Sequence, residues 1–166
     1  MTIRIQALQV HHDTESFQCG SAPLDDWLRR VARQHGGKGV SRTFVAVDPD
    51  MPDSILGFYS LTVGTAEGAS LPPQLAKRLP KKIPIVLIGR LATAEPVRGA
   101  GIGGLLLIDA LRRTVRVASE VGIAAILVDA KDQNAARFYE HFGFQRLPDA
   151  KDRLVLTVNT AATLFD

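Results

Sequence analysis

The chain has little of several residue types that mark whole classes of proteins. Its single cysteine, Cys19, excludes an internal disulfide and a cysteine-based zinc cluster. Aromatic residues make up 6%, which gives little support for stacking bases of single-stranded nucleic acid. No apolar run approaches the roughly 18 residues that cross a bilayer, and the first ten residues do not resemble a signal peptide. We therefore expect a soluble cytoplasmic protein.

The residues that are present indicate a globular chain. Apolar residues make up 46% of the 166, which is enough for one domain over residues 1–166 with a sizeable core. The formal net charge is +3, and the sequence pI is about 9.3. This modestly basic balance permits a polyanionic partner without demanding one.

Hydrophobic periodicity predicts a mixed α/β fold. Strands are expected at 2–10, 42–47, 55–63, 84–93, 124–130 and 153–158, and the nearly continuous apolar run at 84–93 indicates a central strand. Helices are expected within 17–34, at 101–121 and at 134–142, with a short helix and a basic rim at 70–84. The segment HGGKG at 35–39 is expected to be a mobile loop.

A glycine-rich stretch, VRGAGIGG at 97–104, lies between the predicted central strand and the longest predicted helix. Ligands bind at the carboxyl ends of parallel strands, and a helix N-terminus there presents free N–H groups to an anion. The stretch therefore predicts a cradle for a diphosphate. Two alternatives stay open: a tight turn without a ligand, and a dinucleotide site built on Gly99-x-Gly101-x-x-Gly104. The dinucleotide motif normally opens a compact βαβ unit, whereas about 90 residues precede it here.

Arg98-x-x-Gly101-x-Gly103, following Leu91-Ala-Thr93, resembles the acetyl-coenzyme A signature of GNAT acetyltransferases. Asn134-Ala-Ala-Arg-Phe-Tyr139 and Phe142-Gly-Phe144 resemble the family's later helix and its exit. Together with FQCGSAPLDDWL, GFYSLTVG and IGRLA, these motifs resemble the GNAT toxins of bacterial type II toxin–antitoxin pairs over residues 17–147. Thr93 departs from the family's usual valine but keeps the β-branched shape.

The resemblance implies the GNAT acyl-CoA N-acyltransferase fold, a mostly antiparallel sheet with a splayed parallel pair, flanked by helices. It also implies acetyl-CoA as the co-substrate, with no metal. The residues implied to bind it are Leu91, Ala92, Thr93, Arg98, Gly99, Ala100, Gly101, Ile102, Gly103, Gly104, Asn134 and Phe138.

The resemblance assigns the general acid to Tyr139, which would protonate the departing thiolate. The spacing of Ala135, Phe138, Tyr139 and Phe142 alone favours a core position. Tyr139 can be both a core residue and a general acid, because a tyrosine can bury its ring while its hydroxyl reaches a cavity.

No residue is singled out as a general base. His11, His12, His35 and His141 are candidates by type only, and a structural or solvated histidine is the simpler interpretation of each. An α-amine, with a pKa of about 7.7–8.0, needs such a base less than a lysine near 10.4. This favours an α-amine acceptor, and the resemblance implies the amino acid on charged tRNA.

Cations that could contact tRNA phosphates occur in clusters, although each cluster alone is more typical of a solvated face. The candidates are Arg29, Arg30, Arg33, Lys38, Arg42, Lys77, Arg78, Lys81, Lys82 and Arg90, with a further cluster at Arg112, Arg113 and Arg116. Arg90 is unusual because it interrupts the apolar strand, so its charge must be paired or face a cleft.

The resemblance implies a toxin that acetylates aminoacyl-tRNA and thereby blocks translation. It also implies a homodimer and a ribbon-helix-helix antitoxin that connects the pair to operator DNA. Two other functions remain open: a GNAT enzyme for a small amine or a protein N-terminus, and a non-catalytic CoA-binding or DNA-binding regulator.

Overall fold

A computed structural model describes residues 2–166 of the chain. The strands are β1 (Arg4–Ala7), β2 (Arg42–Val47), β3 (Gly57–Glu67), β4 (Lys82–Thr93), β5 (Ala125–Asp129), β6 (Gln145–Leu147) and β7 (Ala150–Thr157). The helices are α1 (Ala22–Arg30), α2 (Ala32–Gly37), α3 (Pro73–Ala76), α4 (Ile102–Ala118), α5 (Gln133–His141) and α6 (Val158–Ala162).

The strands form one mixed sheet of seven in the order β1-β2-β3-β4-β5-β7-β6. β4 and β5 run parallel, with Ile85 opposite Ala125 and Ile88 opposite Val128. The pairs β1–β2, β2–β3, β5–β7 and β6–β7 are antiparallel. The expected mixed α/β fold, mostly antiparallel with one parallel pair, is confirmed.

The first of two compact units comprises the chain up to Thr62 together with Gly89–Ala110. In its core, Trp27 and Leu28 of α1 pack with Phe17, Val45 and Phe58. These positions explain why the apolar stripe of α1 is buried while its remaining face carries charge.

The second unit comprises Val63–Ile88 and Leu111–Asp166. Its core includes Ile83 and Ile85 of β4, Leu127 of β5 and Val155 of β7, all at most 6% exposed. The expectation of a single domain over residues 1–166 stays a prediction.

Several sequence-based boundaries differ from the structure. The loop predicted at 35–39 is wrong in its first half, because α2 continues through Gly37. Hydrogen bonds that the sequence does not reveal support this end of α2: the Val40 amide donates to the His35 carbonyl, and Arg42 donates to the Gly36 carbonyl. The first strand is shorter than predicted, and β6 and α6 were not anticipated.

Within residues 2–166, no helix combines the length and apolar character needed to cross a bilayer.

Candidate acetyl-coenzyme A site and its surroundings

The glycine-rich stretch forms an open turn between β4 and α4. β4 ends at Thr93, a 3-10 turn covers Glu95–Val97, and α4 begins at Ile102. Gly99 and Gly101 have φ angles of +86° and +83°, a conformation that side-chain-bearing residues rarely adopt. Apart from the adjoining residues, no atom of the described residues 2–166 lies within 4 Å of where a Cβ would project from either glycine. The backbone there is accessible from outside, as a cradle for a bulky anion requires.

The amides of this turn differ in their availability. Those of Arg98 and Ala100 donate to the carbonyls of Glu95 and Val97, both at 3.1 Å. In the part of the chain that the structure describes, no hydrogen bond to another residue is made by the amides of Gly99, Gly101, Ile102, Gly103 and Gly104. Together they form a run of free donors at the N-terminus of the 17-residue α4, whose first turn contains no acidic residue. This arrangement suits a diphosphate.

The side chain of Arg98 turns toward its own chain. Its Nη2 atom donates to the carbonyl oxygen of Cys19 at 2.7 Å, and it lies 3.0 Å from where a Cβ on Gly20 would stand. A second bond, from the Glu95 amide to the Gln18 carbonyl, ties the same two segments together. Arg98 therefore braces the turn against residues 18–20.

The end of β4 carries the predicted pantetheine contacts. Ala92 is buried, whereas Leu91 and Thr93 are half-buried. A Cβ on Gly57 would lie 2.9 Å from the Ala92 carbonyl oxygen, so glycine is needed for β3 to approach this closely. Residues 91–93 are thus held by backbone packing and continue directly into the glycine turn.

Tyr139 lies in the second unit, on α5. The side-chain oxygen of Asp132 accepts from the Ala135 amide and caps the start of this helix. Tyr139 is 5% exposed, and its ring packs edgewise on Phe138 and Phe144 at centroid distances of 5.3 and 5.7 Å. Within residues 2–166 its hydroxyl makes no hydrogen bond. Burial, together with the negative charge of Asp129, raises the pKa of Tyr139 well above its ordinary value. The phenol therefore stays protonated at neutral pH, and its hydroxyl has a proton to donate.

Asn134 and Phe138 lie on the same helix. Asn134 is exposed, and its side-chain oxygen accepts a hydrogen bond from Arg137, so its NH2 group is the part left for a ligand. Phe138 is half-buried and also contacts Phe142, at a centroid distance of 5.2 Å. Residues 91–104 thus lie together in the first unit, and Asn134, Phe138 and Tyr139 lie together in the second.

Sequence reasoning missed two residues of the Tyr139 region. Asp129 ends β5 opposite Arg153 of β7. Both of its carboxylate oxygens accept from the Arg153 guanidinium, at 2.7 and 2.9 Å. An acidic residue closing an apolar strand was a visible signal for Asp129, but nothing in the sequence pairs it with Arg153.

Nine of the ten predicted RNA-binding cations fall into two groups, and the half-buried Arg90 belongs to neither. Arg29 is paired with Glu15 and Asp26, Arg42 donates to the Gly36 carbonyl, and Arg33 donates to the carbonyls of Gln9 and His12 at 3.1 and 2.6 Å. These three guanidinium groups hold their own chain in place. In the described part of the chain, the exposed candidates without such side-chain contacts are Arg30, Lys38, Lys77, Arg78, Lys81 and Lys82.

The four histidines have structural surroundings. His11 pairs with Asp53 at 2.7 Å, and His12 is 3% exposed and accepts from the Gln9 amide through Nδ1. Burial, aided by the charges of His11 and Arg33, lowers the pKa of His12. His35 meets the edge of the Trp27 ring, and His141 ends α5 against Phe142. The identity of a general base stays open.

No group of three or more metal-ligating side chains occurs among residues 2–166.

Comparison with known proteins shows the family. The model of the acetyltransferase (GNAT) domain matches residues 39–146. A tRNA-acetylating toxin of Mycobacterium tuberculosis is 36% identical over 153 residues, which cover 92% of this chain and 90% of that protein.

Two solved structures extend the likeness to the fold. AtaT complexed with acetyl-methionyl-tRNAfMet superposes with a TM-score of 0.91, at 27% identity, covering 99% of this chain and all of that one. A mutant AtaT toxin bound to the C-terminus of the antitoxin AtaR gives a TM-score of 0.83 at 27% identity, covering 98% of both chains. The chain belongs to the GNAT acetyltransferase family, in the branch of the tRNA-acetylating toxins.

Proposed function

We propose that this protein transfers an acetyl group from acetyl-CoA to the α-amine of the amino acid on charged tRNA, and that this acetylation blocks translation. The observation that carries the proposal is the likeness to a tRNA-acetylating toxin at 36% identity over 92% of the chain. The complex of the related AtaT with acetyl-methionyl-tRNAfMet supports the same acceptor.

The residues of the first unit fit acetyl-CoA. The free amides of Gly99 and Gly101–Gly104 would bind its diphosphate, while Arg98 braces the turn. The backbone of Leu91–Thr93 would hold the pantetheine arm, with Asn134 and Phe138 as further contacts on α5. The bound coenzyme supplies an acetyl group activated as a thioester.

The chemical role of Tyr139 is to donate a proton. As the neutral amine nitrogen bonds to the acetyl carbon, the carbon–sulfur bond breaks and the sulfur leaves with the electron pair. The Tyr139 hydroxyl gives its proton to that sulfur, and the amine releases one of its own to solvent. Burial makes the phenol a weaker acid, so this role depends on the position of the hydroxyl rather than on its acidity, and the tyrosinate regains its proton from solvent after each turnover.

An α-amine acceptor agrees with the lack of an assigned base. A free α-amine has a pKa of about 7.7–8.0, so a useful fraction is neutral at pH 7, whereas a lysine side chain near 10.4 is almost wholly charged. The pKa of the α-amine is lower still when the amino acid is esterified to tRNA, because the ester group withdraws electrons.

The tRNA phosphates would be met by the exposed cations whose side chains make no ion pair or hydrogen bond within residues 2–166. Arg30 and Lys38 would serve in the first unit, and Lys77, Arg78, Lys81 and Lys82 in the second. The paired Arg29, Arg33 and Arg42 would contribute to the positive potential rather than grip phosphates directly.

We further propose that a ribbon-helix-helix antitoxin restrains the enzyme and connects it to operator DNA. The binding of AtaT to the C-terminus of AtaR supports a tail as the restraining element. We expect that tail to be acidic and to cover exposed arginines. The enzyme would act as a homodimer in the cytoplasm, where charged tRNA is found.

The test is an acceptor panel. Purified protein is incubated with labelled acetyl-CoA and either charged tRNA, the same tRNA stripped of its amino acid, a panel of small amines, or peptides with free N-termini. Label should appear on charged tRNA and disappear when the aminoacyl ester is cleaved with mild base. Label found only on small amines or peptides would contradict the proposal and favour an ordinary GNAT enzyme.

A further inference from the structure

Arg90 is a half-buried cation for which residues 2–166 provide no counter-ion. It lies on β4, two residues before the buried Ala92, and burial lowers the pKa of its guanidinium. Among residues 2–166, no carboxylate pairs with it and no acceptor takes a hydrogen bond from it. Removing a charge from water is costly unless the charge is paired. An anion from outside the chain would supply that missing partner.

Trp27 holds this guanidinium in place. The Arg90 Cζ atom lies 4.3 Å from the centroid of the Trp27 ring, which is the geometry of a cation–π contact. Trp27 is 7% exposed and stacks nearly parallel on the fully buried Phe58, at an interplanar angle of 9°. The platform is therefore fixed by the core. A guanidinium lying over a ring keeps its N–H groups in its own plane, where they can meet a ligand.

We infer that Arg90 binds a phosphodiester group of the acceptor RNA. The inference rests on the proposed function. The planar fork of a guanidinium matches two phosphate oxygens, which makes arginine the residue of choice for such a contact. A second free cation lies on the same helix as the platform: Arg30 follows Trp27 by three positions on α1 and is exposed.

The position of Arg90 in the chain favours a phosphate of the RNA end that carries the acceptor amine. It directly precedes Leu91–Thr93, the segment proposed to hold the pantetheine arm. The phosphates of the coenzyme could also pair with Arg90, but the free amides of the glycine turn already offer those phosphates a binding site. The experiment separates these two sources.

The probe is an RNA minihelix that ends in CCA and carries no amino acid. Its binding is measured by fluorescence anisotropy over a range of salt concentrations. Arg90→Gln should weaken binding by about 10-fold or more, because a hydrogen-bonded charge contact is lost. It should also reduce the slope of log affinity against log salt by about 0.7–0.9, the value for one phosphate. Arg4→Gln is the matched control, since it removes the same charge from an exposed site on β1.

Arg90→Lys tests whether the planar guanidinium is required, and it provides a second variant in case Arg90→Gln does not fold. The lysine should keep the salt slope, because its charge remains, but bind the minihelix more weakly, because it offers no planar pair of donors. Calorimetry with acetyl-CoA should give wild-type affinity for both variants.

An unchanged salt slope in Arg90→Gln would overturn the inference, as would a loss of affinity confined to acetyl-CoA. Wild-type binding by Arg90→Lys would overturn the bidentate contact. The probe carries no amino acid, so this outcome does not depend on acetyl transfer. Failure of the proposed function would appear separately, in the acceptor panel.

Discussion

The chain contains two tyrosines, and their hydroxyl groups have opposite surroundings. Tyr59 on β3 is fully buried, its ring stacks on Phe44, and its hydroxyl donates to an Asp109 carboxylate oxygen at 2.6 Å. Tyr139 on α5 is nearly as buried, with its ring held by Phe138 and Phe144. Its hydroxyl, by contrast, makes no hydrogen bond within residues 2–166.

The contrast separates two uses of the same side chain. In both regions burial fixes the ring, so burial alone does not identify a functional tyrosine. The difference lies in the hydroxyl, which is committed to the fold at Tyr59 and available to a ligand at Tyr139. Removing the Tyr139 hydroxyl should therefore lower activity and leave stability unchanged, whereas removing the Tyr59 hydroxyl should lower stability and leave activity unchanged.

The largest effect is expected from Tyr139→Phe. It keeps the ring packing and removes only the proposed proton donor, so acetyl transfer to charged tRNA should fall by about 10²- to 10⁴-fold. The free energy of unfolding should change by no more than about 0.5 kcal/mol, because no hydrogen bond of the fold is lost. Rates with labelled acetyl-CoA and urea denaturation curves measure the two quantities. Unchanged transfer by the folded variant would remove Tyr139 from the mechanism.

The matched variant, Tyr59→Phe, should show the reverse. It removes a hydrogen bond to a carboxylate, so the free energy of unfolding should fall by about 1–3 kcal/mol. Acetyl transfer per folded molecule should stay at the wild-type level, because Tyr59 has no proposed role in the reaction. The same two assays apply. A loss of activity in this variant without a loss of stability would contradict the distinction between the two tyrosines.

Sequence patterns predicted the elements that are fixed by local chemistry. The apolar run of β4 and the glycines before α4 were recognised because strand burial and left-handed turns restrict which residues can occur there. The φ angles of Gly99 and Gly101 agree with that reasoning. The α2 helix was cut short because glycine is a poor helix former, whereas bonds from Val40 and Arg42 extend it.

The roles of individual charged residues were less accessible from the sequence. Arg33 and Arg90 are both candidates for RNA contacts by sequence. Arg33 donates to the carbonyls of Gln9 and His12, whereas no residue described by the structure accepts from Arg90. That difference depends on where distant backbone groups lie after folding, which composition and spacing do not encode. The same holds for Asp129, whose partner Arg153 comes from another strand.

The smallest effect expected concerns the charge near Tyr139. Burial is the larger cause of the raised pKa of Tyr139, and the carboxylate of Asp129 is the second. In Asp129→Asn the nearby negative charge is gone, so the phenolate is less disfavoured and the pKa of Tyr139 should fall while staying above its ordinary value. NMR titration of the labelled tyrosine ring carbons reports this pKa directly, with Tyr59 as an internal reference. Glu140→Gln is the control, because it removes a charge from the same helix that does not contribute to the shift.

The same substitution should alter the pH dependence of stability. A phenol whose pKa is higher in the folded than in the unfolded chain stabilises the fold fully below about pH 10, and this contribution is lost as pH rises above that value, because only the unfolded chain releases the proton there. Asp129→Asn narrows the gap between the two pKa values, so the loss of stability above about pH 10 should level off at a lower pH than in the wild type, where the folded phenol also begins to ionise. A Tyr139 titration that does not move would show that Asp129 fixes Arg153 without influencing the tyrosine. In that case burial alone would distinguish the acidity of Tyr139 from that of an ordinary phenol.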